Sequence, residues 1–194
     1  MDDSIQEFLD NHQKSITEIS SNNDQLKKSI EKLLAARDNS RTIFTIGNGG
    51  SASTASHFTS DLLKTAITKN KKRFKSISLT DNMSVISAWS NDVSYDDIFL
   101  EQLKNFASKN DILIAFSGSG RSKNIIKCLN YAKKEGMFLI GFTGKSGGDF
   151  PELCDISYNV PNDDMLNIES LHIVICHCII SVIRSMDVPM FEYD

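Results

Sequence analysis

The sequence is poor in several features that mark specialised classes of protein. It has only three prolines and one tryptophan, and its four cysteines include no C-x-x-C pair of the kind found in zinc and redox sites. No run of 18 apolar residues occurs, so we expect no membrane-spanning helix and no membrane partner. The formal net charge of −4 argues against nucleic acid as a partner. What remains is a composition typical of a soluble globular protein, with 40% hydrophobic residues.

The start of the chain also lacks the pattern of a secretion signal. Its first residues, MDDSIQEF, are acidic and offer neither a basic region nor an apolar region. We therefore expect a cytoplasmic protein whose cysteines are reduced. The basic residues at 69–75 (KNKKRFK) are interpreted as a solvated loop.

The order of apolar patterns along the chain predicts the fold class. Apolar residues at helical spacing predict two amphipathic helices, divided by the polar residues 22–24. From Thr42 onward, short apolar runs predict five buried strands, most of them separated by helical stretches: TIFTI, SISL, DILIAF, MFLIGF and DISYNV. This alternation predicts an α/β fold with a parallel sheet and helices on both faces. We predict one domain over residues 1–194, with helices in 1–38 added to a core in 39–194.

The last predicted helix covers residues 164–186 and is apolar on nearly all of its faces. A helix of this kind is buried in a core or in a contact between subunits.

A glycine-rich loop follows the first predicted strand. Gly47, Gly49 and Ala52 match the dinucleotide pattern G-x-G-x-x-A, and glycines at this place let a ligand approach the backbone and the next helix N-terminus. The acidic residue expected at the end of the second strand is missing, and no G-K-[ST] follows the glycines. A dehydrogenase is therefore a distant alternative.

A second loop, SGSGRS, follows the third predicted strand and again begins a helix. Its serines, Ser117, Ser119 and Ser122, are suited to surround a phosphate together with backbone N–H groups. A single serine would be interpreted as a helix cap. Three serines with two glycines at the end of a strand favour a phosphate site, as on a phosphorylated sugar.

Histidines and carboxylates occur together in two places. His57 and Asp61 are four residues apart on the predicted helix after the first loop, so they share a face. The last helix carries Glu169, His172 and His177 among apolar residues, where each needs a partner. Spacing alone would equally place Glu169, His172 and Cys176 on one face.

Four motifs taken together resemble a known family: GNGGSASTASHF, SGSGRS, the pair Asn91-Asp92 and the late IESLHIVICH. They resemble the sugar isomerase (SIS) domain, and more narrowly the phosphoheptose isomerases, which act on sedoheptulose 7-phosphate. The likeness covers nearly the whole chain, including the N-terminal helices. It implies a five-stranded parallel sheet flanked by helices, a homotetramer with active sites between subunits, and one zinc ion per subunit.

The resemblance also implies roles for individual residues. Asp61 and His177 fall on the acid–base pair, and His57, Asp61, Glu169 and His177 fall on the metal ligands. The remaining implied positions bind substrate: Asn48, Gly49, Gly50, Ser51, Asp61, Asn91, Asp92, Ser117, Gly118, Ser119, Ser122 and Glu169. Two positions depart from the family, because Asp61 replaces a glutamate and Glu169 replaces a glutamine. Glu169 and His177 are also about 12 Å apart along a continuous helix. To bind the same metal as His177, Glu169 would have to lie in a distorted helix start or come from another subunit.

The implied reaction is the aldose–ketose isomerisation of sedoheptulose 7-phosphate to D-glycero-D-manno-heptose 7-phosphate, for heptose synthesis for a surface polysaccharide (lipopolysaccharide or capsule). The alternative is a non-catalytic SIS-domain protein that binds a sugar phosphate or a protein partner. The carboxylate of Asp61 and the histidines His57 and His177 favour the enzyme, whereas the shortened side chain of Asp61 keeps the alternative open.

Overall fold

A five-stranded parallel sheet forms the centre of the structure, a computed structural model that describes residues 1–191. The strands are β1 (Thr42–Gly47), β2 (Lys75–Ser78), β3 (Ile112–Phe116), β4 (Phe138–Thr143) and β5 (Ile156–Asn159). Their order in the sheet is β2-β1-β3-β4-β5, and every neighbouring pair is parallel. Each strand coincides with one of the predicted apolar runs to within a residue. The predicted α/β class and parallel sheet are therefore confirmed.

Helices lie before the first strand, in the connections between the strands and after the last strand. They are α1 (Asp2–Ser20), α2 (Asp24–Asp38), α3 (Gly50–Ser60), α4 (Met83–Asp92), α5 (Leu100–Lys104), α6 (Lys123–Lys134), α7 (Phe150–Leu153) and α8 (Met165–Ser185). A π-helical turn at Asp61–Thr65 directly follows α3, and a 3₁₀ turn at Tyr95–Asp97 follows α4.

Alternating side chains of the strands feed two separate hydrophobic cores. On β3, Ile112, Ile114 and Phe116 face the core formed with α2, α3 and α8. Leu113 and Ala115 face the opposite core, which includes residues of α5, α6 and α7. Because helices cover both faces, strands β1, β3 and β4 are buried on both sides, which explains their apolar runs. The edge strand β2 alternates between exposed and buried residues, and β5 is partly buried, so these two are not the fully buried strands that were predicted. The sheet is thereby a rigid support for the loops at its edge.

The two N-terminal helices differ in how they attach. Helix α2 contributes Ile30, Leu33 and Ala36 to the same core as the sheet, so it is an integral layer of the fold. Helix α1 is largely exposed and buries Ser15, whose hydroxyl accepts a hydrogen bond from Asn162 at 3.3 Å. The division into residues 1–38 and 39–194 stays a prediction.

Helix α8 is the long apolar helix predicted at residues 164–186. By length and composition it is apolar enough to cross a membrane, although it contains no unbroken run of 18 apolar residues. Half of its most apolar stretch is buried, with Leu171, Ile175 and Ile179 in the core beside α2 and α3. A core helix of a soluble protein passes the same test, so this feature is weak support for a membrane span.

His172 lies inside this core and is fully buried. Its Nε2 is 3.2 Å from the carbonyl oxygen of Thr143, and its ring packs against the rings of Phe116 and Phe142. Burial lowers the pKa of His172 from its ordinary value of 6.5 to about 4, although the hydrogen bond to Thr143 opposes this shift. The ring is therefore neutral at pH 7, and Nε2 carries the proton that the carbonyl accepts. His172 serves the core in this chain.

This lowered pKa predicts a pH dependence of stability. Between pH 4 and 6.5 the unfolded chain binds a proton at His172 that the folded protein does not, so the free energy of unfolding should fall as the pH falls through this window. The full effect is about 3 kcal/mol. In His172→Leu this part of the pH dependence should vanish, while Thr143 keeps the N–H of Val160 as a partner. Urea unfolding at several pH values measures it.

His12→Leu is the matched control, since His12 lies on α1 outside the core. It should keep the wild-type slope between pH 4 and 6.5. A His172→Leu protein with the wild-type slope would show that another group produces the pH dependence.

Candidate active site

The two predicted ligand loops lie side by side because β1 and β3 are neighbours in the sheet. Gly47, at the end of β1, pairs with Phe116, at the end of β3. The chain leaves β1 toward edge strand β2 and leaves β3 toward β4, so the direction of winding reverses here. Helix α3 accordingly packs on one face of the sheet and α6 on the other. Open α/β sheets bind ligands in the crevice at such a reversal.

The first loop is shaped by two glycines with different reasons to be glycine. Gly49 has φ +56° and begins α3 without a side-chain cap, so the first N–H groups of the helix stay available. At Gly50 an added Cβ would lie 2.2 Å from Oε2 of Glu169. The carboxylate of Glu169 therefore faces the first turn of α3, where the helix dipole favours a negative charge. Ser51, also in this turn, is buried.

The serine loop does not cap the N-terminus of α6 with the side chain of its N-cap residue. Ser122 is the N-cap residue of α6, but its side chain makes no capping hydrogen bond. Its Oγ lies 3.3 Å from Oγ of Ser117, which is buried. Ser119 is exposed, and its Oγ accepts a hydrogen bond from the backbone N–H of Arg121 at 3.2 Å. Ser119 thus supports the local turn, while Ser117 and Ser122 are the hydroxyl pair at the start of the helix.

Glycines also fix the shape of this loop. Gly120 has φ +63°, and an added Cβ would lie 2.3 Å from the carbonyl oxygen of Gly147. Gly118 lies under the side chain of Met165, whose Sδ would be 2.3 Å from an added Cβ. Because the loop is held against the 147–148 turn and the start of α8, its hydroxyl groups are positioned before any ligand arrives.

A phosphate fits the second helix start better than the first. Both α3 and α6 point a helix N-terminus to the crevice edge of the sheet, and such ends attract anions. The start of α3 already faces the carboxylate of Glu169, which would repel a phosphate. The start of α6 faces the hydroxyls of Ser117 and Ser122. The geometry therefore supports the serine loop as the phosphate position.

Asn48 is fixed by two residues that the sequence motifs did not indicate. Its carboxamide exchanges two hydrogen bonds with that of Asn124, at 2.9 and 3.0 Å. The hydroxyl of Tyr95 donates to Oδ1 of Asn48 at 2.9 Å. Asn124 lies in the first turn of α6, two residues after Ser122, and this closeness to the serine loop is the sequence signal that could indicate it. Tyr95 belongs to no recognisable motif.

Asn91 and Asp92 lie at the end of α4, just before Tyr95. Nδ2 of Asn91 donates to Oδ1 of Asp92 at 2.7 Å, and both residues are exposed. Their predicted contact with substrate stays a prediction.

The second group of predicted residues meets at the far end of α3. Nε2 of His57 is 3.0 Å from Nε2 of His177, and Oδ2 of Asp61 is 3.5 Å from the first and 3.7 Å from the second. One ligand atom from each of the three lies within 4.8 Å of the others. Asp61 is buried, whereas about half of each histidine side chain is exposed. The cluster thus has a fixed carboxylate and two accessible imidazoles.

A local change of helix geometry positions Asp61. The α-helix ends at Ser60, and the π-helical turn Asp61–Thr65 follows without a break. Thr65 donates from Oγ1 to Oδ1 of Asp61 at 2.9 Å, which leaves Oδ2 for the histidines. Single π turns are frequent at functional sites because they reorient the side chains around them. Thr65 is a further residue that the motifs missed, although it stands four residues after Asp61.

Glu169 is not part of this cluster within one chain. Glu169 lies beside Gly50, whereas His177 lies beside His57, so α3 and α8 run in the same direction. His57 follows Gly50 by seven residues, which is about 10 Å along the helix. Helix α8 is regular from Met165, so a distorted start does not bring Glu169 to His177.

The alternative face of Glu169, His172 and Cys176 does not form a site. His172 and Cys176 are both fully buried. Burial, and secondarily the charge of Asp61, raises the pKa of the Cys176 thiol well above its usual range. Cys176 is therefore a protonated core residue, consistent with its apolar surroundings.

Comparisons with known proteins identify the family. The model of the SIS domain family matches residues 7–144. The phosphoheptose isomerase of Aliarcobacter butzleri is 39% identical over 92% of this chain and 94% of its own length. This chain belongs to the phosphoheptose isomerase family of SIS-domain proteins.

Solved structures agree with this family. The phosphoheptose isomerase of Francisella tularensis superposes with a TM-score of 0.88 at 28% identity, covering 94% of this chain and 97% of that one. The phosphoheptose isomerase of Neisseria gonorrhoeae gives a TM-score of 0.86 at 26% identity, covering 95% and 98%. The fold and the family implied by the sequence motifs are therefore confirmed.

The serine loop makes a direct prediction for anion binding. Ser122→Ala should weaken the binding of inorganic phosphate by about 1–3 kcal/mol, because it removes a hydroxyl that hydrogen-bonds a charged group. A ³¹P NMR titration measures the affinity. Ser20→Ala, an exposed change on α1, is the control and should leave the affinity unchanged. Equal affinities for wild type and Ser122→Ala would remove Ser122 from the phosphate site.

Proposed function

We propose that the protein is a phosphoheptose isomerase that converts sedoheptulose 7-phosphate to D-glycero-D-manno-heptose 7-phosphate. The main support for this proposal is that α3, in a member of this family, has polar ligand-binding groups at its start and a cluster of histidines and a carboxylate at its end. Asn48 adjoins the start of α3 and binds Asn124 beside the serine loop at the start of α6, and His57, Asp61 and His177 meet at the end of α3. This arrangement suits a ligand with an anionic end to be anchored and another end to be chemically changed.

The reaction moves one carbon-bound proton between neighbouring carbons. A base removes a proton from C1 of the ketose, the electron pair forms the double bond of an enediol, and the carbonyl oxygen at C2 takes up a proton. A proton returned to C2, with loss of the O1 proton, then gives the aldose. We assign the proton transfers to Asp61 and His177, which lie 3.7 Å apart between Oδ2 and Nε2.

The neighbouring contacts suit these two residues to exchange protons. His57 and His177 are within hydrogen-bond distance through their Nε2 atoms, so without a bound metal one ring can donate to the other. Thr65 holds Oδ1 of Asp61 by donating to it, and Oδ2 remains directed at the histidines. The exposed half of each imidazole leaves room for a substrate. The aspartate, although shorter than the family's glutamate, thus still reaches both histidines.

His57, Asp61 and His177 would also hold one zinc ion per subunit. Two imidazoles and one carboxylate with ligand atoms within 4.8 Å of one another are a donor set that zinc accepts. When bound, zinc supplies Lewis-acid stabilisation of negative charge on oxygen. Glu169 would be the fourth ligand only if it came from another subunit. Within one chain its carboxylate serves the substrate end of α3.

The remaining predicted substrate contacts belong to the same proposal. Backbone groups of the first loop and hydroxyls of the second would bind the sugar phosphate, and Asn91 and Asp92 would contact its hydroxyl groups. These positions are Asn48, Gly49, Gly50, Ser51, Asp61, Asn91, Asp92, Ser117, Gly118, Ser119, Ser122 and Glu169. Their support is the shared edge of the sheet on which both loops lie.

We further propose a cytoplasmic homotetramer that serves heptose synthesis for a surface polysaccharide, without nucleic acid or membrane as a partner. Exposed apolar side chains on α1 and α8 support subunit contacts. They include Ile5, Phe8, Leu9, Leu166, Val174 and Val182. Apolar surface of this kind is often covered in an oligomer.

The proposal predicts turnover that depends on His177. Purified protein with zinc should convert sedoheptulose 7-phosphate to the aldose, followed by ¹³C NMR. His177→Gln should lower the rate by at least about 100-fold, because it removes a proton-transfer group. It should also weaken zinc binding measured by calorimetry, which does not depend on activity.

Asn130→Ala serves as control and should retain the wild-type rate, since Asn130 is exposed on α6 and belongs to no predicted site. A wild-type protein that binds the sugar phosphate with zinc present but never converts it would overturn the isomerase. Such a result would establish the non-catalytic binding protein instead.

A further inference from the structure

Three polar side chains from different elements meet where β1 ends. Asn48 follows β1, Asn124 lies in the first turn of α6, and Tyr95 begins the 3₁₀ turn after α4. Nδ2 of Asn48 donates to Oδ1 of Asn124 at 3.0 Å, and Nδ2 of Asn124 donates to Oδ1 of Asn48 at 2.9 Å. Oη of Tyr95 lies 2.9 Å from Oδ1 of Asn48. The substrate role predicted for Asn48 leaves its two neighbours unexplained.

A backbone group fixes the direction of these hydrogen bonds. The N–H of Ile125 lies 3.0 Å from the side-chain amide of Asn124 and can only donate, so the atom that it meets is the oxygen Oδ1. The other arm of the Asn124 amide is then Nδ2. This requires that Asn48 presents Nδ2 to the oxygen of Asn124 and Oδ1 to its nitrogen. Tyr95 must therefore be the donor to Oδ1 of Asn48.

The hydrogen-bonding capacity of Asn48 is then almost used. A carboxamide oxygen has two lone pairs, and those of Asn48 are taken by Asn124 and Tyr95. The nitrogen has two hydrogens, and one of them is bound by Asn124. One N–H remains for a ligand. Asn48 can thus donate to a hydroxyl or carbonyl oxygen of a sugar, but it has no lone pair left to accept from one.

We propose that Tyr95 is a positioning residue that, together with buried Asn124, fixes the carboxamide of Asn48 as a hydrogen-bond donor to the substrate. The inference rests on the proposed function for the identity of the ligand, a sugar phosphate. Asn124 is 2% exposed and lies inside the fold, whereas Tyr95 is 50% exposed. Tyr95 is therefore the member of the group whose hydroxyl can be removed without disturbing the core.

The test is a double-mutant cycle on Tyr95 and Asn48. Tyr95→Phe should raise KM for sedoheptulose 7-phosphate about three- to tenfold, the effect of one lost hydrogen bond, while kcat changes less than about twofold. In the Asn48→Ala background the same Tyr95→Phe change should alter KM by less than about 1.5-fold, because its only route of action has been removed.

Tyr131→Phe is the matched control, since Tyr131 lies on α6 away from Asn48, and it should leave KM and kcat unchanged. An equal rise in KM from Tyr95→Phe in both backgrounds would overturn the proposal, because Tyr95 would then act without Asn48. An unchanged KM for Tyr95→Phe in the wild-type background would overturn it as well.

The same cycle separates this inference from the proposed function. If wild-type protein binds sedoheptulose 7-phosphate without converting it, the isomerase assignment fails. The cycle is then measured as Kd by calorimetry, where the same non-additivity supports the role of Tyr95 and strict additivity contradicts it.

Discussion

The parallel pairing of β1 with β3 is the constraint on which the site depends. Because Gly47 pairs with Phe116, the loops after both strands emerge at one edge of the sheet. The chain turns in opposite directions after the two strands, so α3 and α6 begin there on opposite faces. Two helix N-termini and two glycine-containing loops thereby border the point at which open α/β sheets form a ligand-binding crevice. Asn48 and Asn124 join the two sides of this crevice by a reciprocal pair of hydrogen bonds.

Helix α3 connects the proposed binding end of the site to its proposed reactive end. Its parallel packing with α8 places Glu169 against Gly50 and His177 against His57. At the edge of the sheet, the Glu169 carboxylate disfavours a phosphate at the start of α3, and the serine hydroxyls at the start of α6 are the proposed phosphate position. The π turn after Ser60 then brings Asp61 to the two histidines.

Much of the fold was predictable because its signals are local. Strands buried on both faces need apolar residues on both sides, and the runs at β1, β3 and β4 show this pattern. The runs at β2 and β5 also coincide with strands, although these two are only partly buried. The serine loop and the pair of His57 and Asp61 were found for the same reason, since neighbours in sequence carried each pattern. The contact between His57 and His177 was predicted only through the family resemblance. The two residues are 120 positions apart, and sequence spacing does not predict the distance between residues so far apart.

Contacts between segments that are distant in the chain could not be predicted, because local sequence patterns do not record them. Tyr95 meets Asn48 across 47 positions, and no periodicity records such a contact. His172 looked like a site residue by its helical spacing, but the rings of Phe116 and Phe142 enclose it. Spacing along α8 correctly predicted that Glu169 and His177 lie far apart. The structure adds that Glu169 faces Gly50.

A crystal structure with sedoheptulose 7-phosphate tests the central claim most directly, namely that the crevice between β1 and β3 holds the substrate. The account predicts the phosphate at the start of α6, within hydrogen-bond distance of Ser117 or Ser122. It also predicts a sugar oxygen at Nδ2 of Asn48. A phosphate bound at the first turn of α3 beside Glu169, or a sugar phosphate bound outside the crevice, would contradict the account.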